Sequence, residues 1–188
     1  MMLTRYRIAL VIGSLRQGSF NRQLAAMLDA RAPDDFLLHR VEIGDLPLYN
    51  QDDDEHQAPA VLRLRDDILT SAAVIFVTPE YNRSIPGVLK NAIDHASRPY
   101  GASAWRRKPA GVVGVSEGAM GTSLAQQHLR NILASLDMPT LGLPEIFIQA
   151  KQGMFADTES AATDLVPILT NWMAAFAPWV RRINSDNA

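Results

Sequence analysis

Ile8-Ala9-Leu10-Val11-Ile12-Gly13-Ser14-Leu15-Arg16-Gln17-Gly18-Ser19-Phe20-Asn21-Arg22-Gln23-Leu24 reads as strand, loop and helix in succession. The apolar run stops at Gly13, a polar loop follows, and Phe20, Leu24, Met27 and Leu28 then recur at the spacing of one helix face. Ser19 is the expected N-cap, its hydroxyl accepting a bond from an early helix amide. A loop at this junction faces free backbone N–H groups and the positive end of the helix dipole, which together make an anion site. Ser14, Arg16, Ser19 and Asn21 add three neutral hydrogen-bonding side chains and one guanidinium, a set suited to a terminal phosphate. The mononucleotide P-loop is excluded because Ser19 and Phe20, with no lysine, follow Gly18. The dinucleotide fingerprint is excluded because position 15 is leucine. Taken alone, the same composition also suits an ordinary polar turn.

The bulk numbers narrow the choice. A chain of 188 residues, 47% of them hydrophobic, has the length for one domain with a sizeable core, expected to span 1–188. A net charge of −2 argues against a general nucleic-acid or anionic-membrane binder. The first residues lead directly into a strand without a signal-peptide layout, and no apolar run reaches 18 residues, so a cytoplasmic location is expected. With no cysteine, thiol chemistry is excluded and any redox chemistry requires a bound cofactor.

Further along, Phe36–Ile43 alternates partly, as an edge strand does. The connection after it contains Leu46, Leu48 and Tyr49, apolar enough to cover a ligand, meet a partner or pack on its own domain. Asp52 to Glu55 has the carboxylates to hold a hard cation, but such a run is more often a solvated face, and that is the expectation. Pro59 opens a helix whose expected buried side is Val61, Leu62, Ile68 and Leu69. Ala73–Thr78 is a fully apolar central strand, ending in Pro79-Glu80-Tyr81-Asn82-Arg83-Ser84-Ile85-Pro86-Gly87. Val88, Leu89, Ala92, Ile93 and Ala96 mark the next helix face. Pro109–Ser116 is a fourth strand whose glycines predict close approach by other backbone, and it opens into Glu117–Thr122. A helix using Ala125, Leu129, Ile132, Leu133 and Leu136, a short strand at Glu145–Gln149, and a last helix through Leu165, Leu169, Trp172, Met173, Phe176 and Val180 complete the chain. Pro167 either kinks that helix or begins it. Five strands alternating with helices predict a parallel sheet covered on both faces, with the ligand beyond the carboxyl ends of the strands. The loops after strands one, three and four all fall there, and their convergence favours the anion site.

These residues resemble the NAD(P)H-dependent FMN reductase family, a flavodoxin-like group that includes quinone, chromate and azo-dye reductases. The likeness is carried by Gly13-Ser14-Leu15-Arg16 to Asn21-Arg22, by Leu46-Pro47-Leu48-Tyr49-Asn50, and by Pro79-Glu80-Tyr81-Asn82 with Ser84-Ile85-Pro86-Gly87. It implies an α/β flavodoxin-like three-layer sandwich, with strands in the order 2-1-3-4-5. By that resemblance Ser14, Arg16, Ser19 and Asn21 hold the phosphate of bound FMN, with Phe20 lending its backbone. Pro79, Glu80, Tyr81, Asn82 and Ser84 then border the isoalloxazine ring, and Ser116 and Gly118 flank its other edge. NAD(P)H is the implied co-substrate. Its hydride passes to the flavin, and two electrons go on to a small-molecule acceptor such as a quinone, azo compound, chromate or free flavin. No catalytic acid or base and no metal is required. A homodimer or homotetramer is implied, with the Leu46–Tyr49 loop near a neighbour's flavin. His95, at a position often occupied by tryptophan, and Arg83, at one often small, depart from the pattern. The alternative is a flavodoxin-type electron carrier without substrate turnover, although such carriers are strongly acidic.

Overall fold

In the computed structural model, residues 5–155 and 158–186 are described. The strands are β1 (Tyr6–Ile12), β2 (Phe36–Val41), β3 (Ala73–Val77), β4 (Ala110–Ser116) and β5 (Phe147–Gln149). The helices are α1 (Phe20–Asp29), α2 (Pro59–Leu69), α3 (Gly87–Ala96), α4 (Ser123–Ser135) and α5 (Thr158–Asp186). All strand pairs are parallel, and the order is β2-β1-β3-β4-β5. This is the flavodoxin-like order, with its switch point between β1 and β3. No described helix is long and apolar enough to cross a membrane.

Side-chain alternation along the strands divides the core into two layers. Ile8, Leu10 and Ile12 of β1, with Ala73, Ile75 and Val77 of β3, face α1 and α5. Ala9 and Val11, with Val74 and Phe76, face α2, α3 and α4. Both faces being covered, β3 carries no polar residue and is buried throughout. β2 is an edge strand, as its partial alternation predicts. In α5 all six positions expected inside, from Leu165 to Val180, are buried. That helix neither ends nor starts at Pro167 but runs through it.

The α2 face differs from expectation. Val61, Leu64 and Ile68 are buried, whereas Leu62 and Leu69 are more than half exposed. A helix lying on a sheet buries a stripe about 100° wide, and Leu64 occupies its centre. In β4 the expected close approach by other backbone occurs at Gly114, whereas Gly111 is approached by a side chain. A Cβ on Gly114 would lie 2.1 Å from the backbone oxygen of Thr78, and one on Gly111 would lie 2.6 Å from the Trp172 ring.

The register brings the carboxyl ends of the central strands level, with Ile12 opposite Val77 and Val77 opposite Val113. The ladder continues past the strand ends: Gly13 N donates to Val77 O at 2.9 Å and Thr78 N to Val113 O at 3.0 Å. The β1–α1, β3–α3 and β4–α4 loops therefore leave the sheet side by side.

Candidate cofactor site

These three loops enclose a cleft lined by Ser14, Arg16, Ser19, Phe20, Asn21, Pro79, Tyr81, Val115, Ser116 and Glu117. Eight of the twelve residues expected at the site are thus brought together. Ser14 and Ser19 are nearly buried, yet among the described residues neither hydroxyl has a hydrogen-bond partner. Ser19 takes the cap position of α1 (φ −70°, ψ 125°), but its side chain makes no capping bond. The early amides of α1 and both hydroxyls therefore remain available to an anion. Arg16 Nη2 donates to Gly18 O at 2.9 Å and the guanidinium lies 5.4 Å from the Phe20 ring centroid. That single bond leaves four of its five N–H donors free.

Asn21 behaves differently from the expectation that its side chain meets the phosphate. Its Nδ2 donates to Val115 O at 2.8 Å and its Oδ1 accepts from Val115 N at 3.1 Å. The amide is largely consumed in joining α1 to β4, so Asn21 positions the loop.

Glu80, Asn82, Ser84 and Gly118 do not line the cleft. Glu80 Oε2 accepts from Leu124 N and Ala125 N, each at 3.0 Å, and so caps α4 from a different loop. Thr122, at the cap position of α4, makes no side-chain capping bond, and a carboxylate complements that positive helix end. Tyr81 and Ser84 exchange backbone bonds of 2.9 and 3.0 Å around Asn82 (φ 51°) and Arg83 (φ 62°). Two left-handed central residues make this a type I′ turn, which explains why a small residue suits position 83. Ser84 Oγ lies 3.1 Å from His128 Nδ1 on α4. Gly118 O accepts from Gly121 N within the β4–α4 turn.

Val115 and Glu117 line the cleft although the residue types gave no reason to choose them; their signal was adjacency to Ser116 at a strand end. Phe155 was also passed over, and its ring stacks on Phe20 at 5.1 Å with 23° between planes.

The Leu46–Tyr49 loop is pinned to α3. Pro47 O accepts from Asn91 Nδ2 at 2.7 Å and from His95 Nε2 at 2.9 Å, and Tyr49 N donates to Asn91 Oδ1 at 2.8 Å. The Tyr49 ring meets His95 edge-on at 5.4 Å. A bond to a carbonyl requires hydrogen on Nε2, so His95 serves this loop as a donor. Leu48, between the pinned positions, is 86% exposed. A second cavity beside this loop is lined by Pro47, Asp53, Asp54, His56 and His95. Its carboxylates give it the wrong sign for a phosphate.

Known proteins resemble the chain along nearly its whole length. The chain is 48% identical over 177 residues to a quinone reductase of Pseudomonas putida, covering 94% of this chain and 95% of that one. It is 45% identical over 176 residues to a 2-hydroxy-1,4-benzoquinone reductase of a Burkholderia species, covering 93% and 96%. The solved structure of FerB, a flavoenzyme NAD(P)H:(acceptor) oxidoreductase from Paracoccus denitrificans, superposes with a TM-score of 0.88 at 40% identity, covering 94% of this chain and 98% of that one. The family model for NADPH-dependent FMN reductase matches residues 6–153, a span that includes the anion loop, the turn at Tyr81–Ser84 and every strand. With the strand order, the cleft and this match in agreement, the chain belongs to the NADPH-dependent FMN reductase family.

Proposed function

We propose that this protein is an FMN-dependent NAD(P)H:quinone reductase. The single observation that carries the reading is the cleft itself, where the unengaged hydroxyls of two largely buried serines, a guanidinium with spare donors and the start of α1 meet at the carboxyl end of the sheet. That donor set fits a phosphate monoester. Ser14, Ser19, Arg16 and the first amides of α1 would hold the FMN phosphate. Pro79 and Tyr81 would wall the ring on one side and Ser116 on the other. Asn21 and Glu80 keep those loops at their spacing through Val115 and α4. Bound FMN supplies two-electron chemistry between a nicotinamide donor and a quinone acceptor. The chain's own contribution is to orient, to exclude water with the half-exposed Tyr81 ring, and to place backbone dipoles beside the ring. His128 is engaged with Ser84, and the hydride chemistry assigned to the flavin asks no acid–base step of it.

The pinned loop supports a homodimer or homotetramer. Asn91 and His95 hold it rigid without help from a neighbour, and it presents Leu48 outward. A fixed, largely exposed leucine is suited to burial against a second copy beside that copy's flavin.

The deciding experiment is steady-state oxidation of NADH and NADPH by FMN-loaded protein, with 1,4-benzoquinone, an azo dye, chromate and free flavin as acceptors. Sustained turnover with the quinone is expected. Failure to oxidise either nucleotide with any acceptor overturns the reading in favour of an electron carrier.

A further inference from the structure

The β5–α5 connection returns to the anion loop by a route of its own. Ala150 N donates to Ser116 O at 2.8 Å, extending the sheet past β5, and Met154 N donates to Lys151 O at 3.1 Å. Gly153 sits between them at φ +80°, a conformation that side chains oppose. This turn folds the chain back so that Met154 and Phe155 pack against the α1 and α5 layer of the core. Phe155 then stacks on Phe20, centroids 5.1 Å apart, and Phe20 is the ring over which the Arg16 guanidinium is placed at 5.4 Å. Phe155 is absent from the cleft lining and lies just beyond the span matched by the family model.

We propose that Phe155 is a positioning residue for phosphate recognition, acting on Arg16 through Phe20. The inference rests on the FMN reading above. Arg16 is exposed and long, with a single hydrogen bond to its own loop, so most of its order must come from the aromatic surface beneath it. Phe20 opens α1 and is itself only partly buried. Without Phe155 that ring loses a stacked neighbour and gains rotamer freedom, and the guanidinium loses its fixed platform. The consequence is confined to one end of the ligand. Phe155 is not among the residues lining the cleft, and its aromatic stack is with Phe20 at the phosphate end, so recognition of the isoalloxazine ring is independent of it.

The test compares two ligands that differ only in the phosphate. FMN and riboflavin are titrated against the full-length apoprotein by flavin fluorescence, for the wild type and for Phe155→Ala, Phe155→Leu and Phe155→Tyr. The ratio of FMN to riboflavin affinity is expected to fall roughly two- to fivefold in Phe155→Ala, on the scale of an exposed cation–π contact. Phe155→Leu, which keeps bulk but not the flat ring, is expected to show the same fall, and Phe155→Tyr to restore the wild-type ratio. Loss of folding or of general packing lowers both affinities by one factor and leaves the ratio unchanged. An unchanged ratio in Phe155→Ala and Phe155→Leu, with the wild type still preferring FMN, overturns the proposal and spares the FMN reading. A wild type that binds both flavins equally overturns the phosphate site itself.

Discussion

Asn21 and Val115 exchange two hydrogen bonds, Nδ2 to O at 2.8 Å and N to Oδ1 at 3.1 Å, across 94 positions of sequence. One carboxamide thus completes both backbone groups of Val115 and locks the first turn of α1 to the end of β4. Asn21→Ala leaves that N–H and C=O buried without partners. At about 1–3 kcal/mol for each buried unsatisfied group, a loss of roughly 2–4 kcal/mol is expected in urea unfolding. FMN affinity should fall as well, because the anion loop loses its anchor. A variant as stable as the wild type contradicts this role.

Arg16→Ala addresses the phosphate contact directly. A lost charge-assisted bond of about 1.5–3 kcal/mol corresponds to a drop in FMN affinity of roughly tenfold or more. Riboflavin affinity is expected to change little. Equal FMN retention in the variant removes Arg16 from the site.

Gly114 lies where any side chain collides with fixed backbone, its Cβ position being 2.1 Å from Thr78 O and 2.8 Å from Thr122 Oγ1. Neither neighbour is the free end of a flexible chain, so β3 and β4 must separate. Gly114→Ala is expected to destabilise by about 3 kcal/mol or more, at or beyond the top of the overpacking range. Gly118→Ala, which enters open space, is the matched control and should be nearly neutral in the same thermal melt.

Arg83 holds a left-handed conformation (φ 62°) at the second centre of the Tyr81–Ser84 turn. That conformation costs a non-glycine residue about 1–2 kcal/mol, part of which glycine returns through the entropy of the unfolded chain. Arg83→Gly is therefore expected to stabilise by about 0.5 kcal/mol, raising Tm by about 1–2 °C. A lowered Tm would mean that the guanidinium has a partner worth more than the strain.

His39 supplies a pH dependence. Burial pushes its pKa below the usual imidazole value, the Arg7 guanidinium adds to the fall, and Asp67, 3.7 Å away, only partly offsets it. The unfolded chain takes up this proton near pH 6.5, while the folded protein resists until lower pH. Stability is therefore complete above about pH 6.5 and declines as the pH drops through the window below it. Urea midpoints measured between pH 7.5 and 5 should fall for the wild type. The fall should be shallower in His39→Gln, and identical slopes would exclude His39 as the source.

What the chain alone determined follows from local periodicity. The run Ile8–Ile12 ending at Gly13, the unbroken apolarity of Ala73–Val77 and the repeat through Leu165, Trp172, Phe176 and Val180 each encode an element and its buried side. The loop between Gly13 and Phe20 carried its donor chemistry openly, since polar side chains at a strand-to-helix junction have few tasks besides capping and binding. Tertiary structure decided where each polar side chain is used. Asn21 turned to Val115, Glu80 to the start of α4 and Ser84 to His128, because the groups they complete come from elements distant in sequence. It also decided that Leu64 is buried and Leu62 is not, and that Phe155 returns to Phe20. A helix face is selected by the surface it meets, and a ring stack by the path of a distant loop. Neither is contained in the spacing of neighbouring residues.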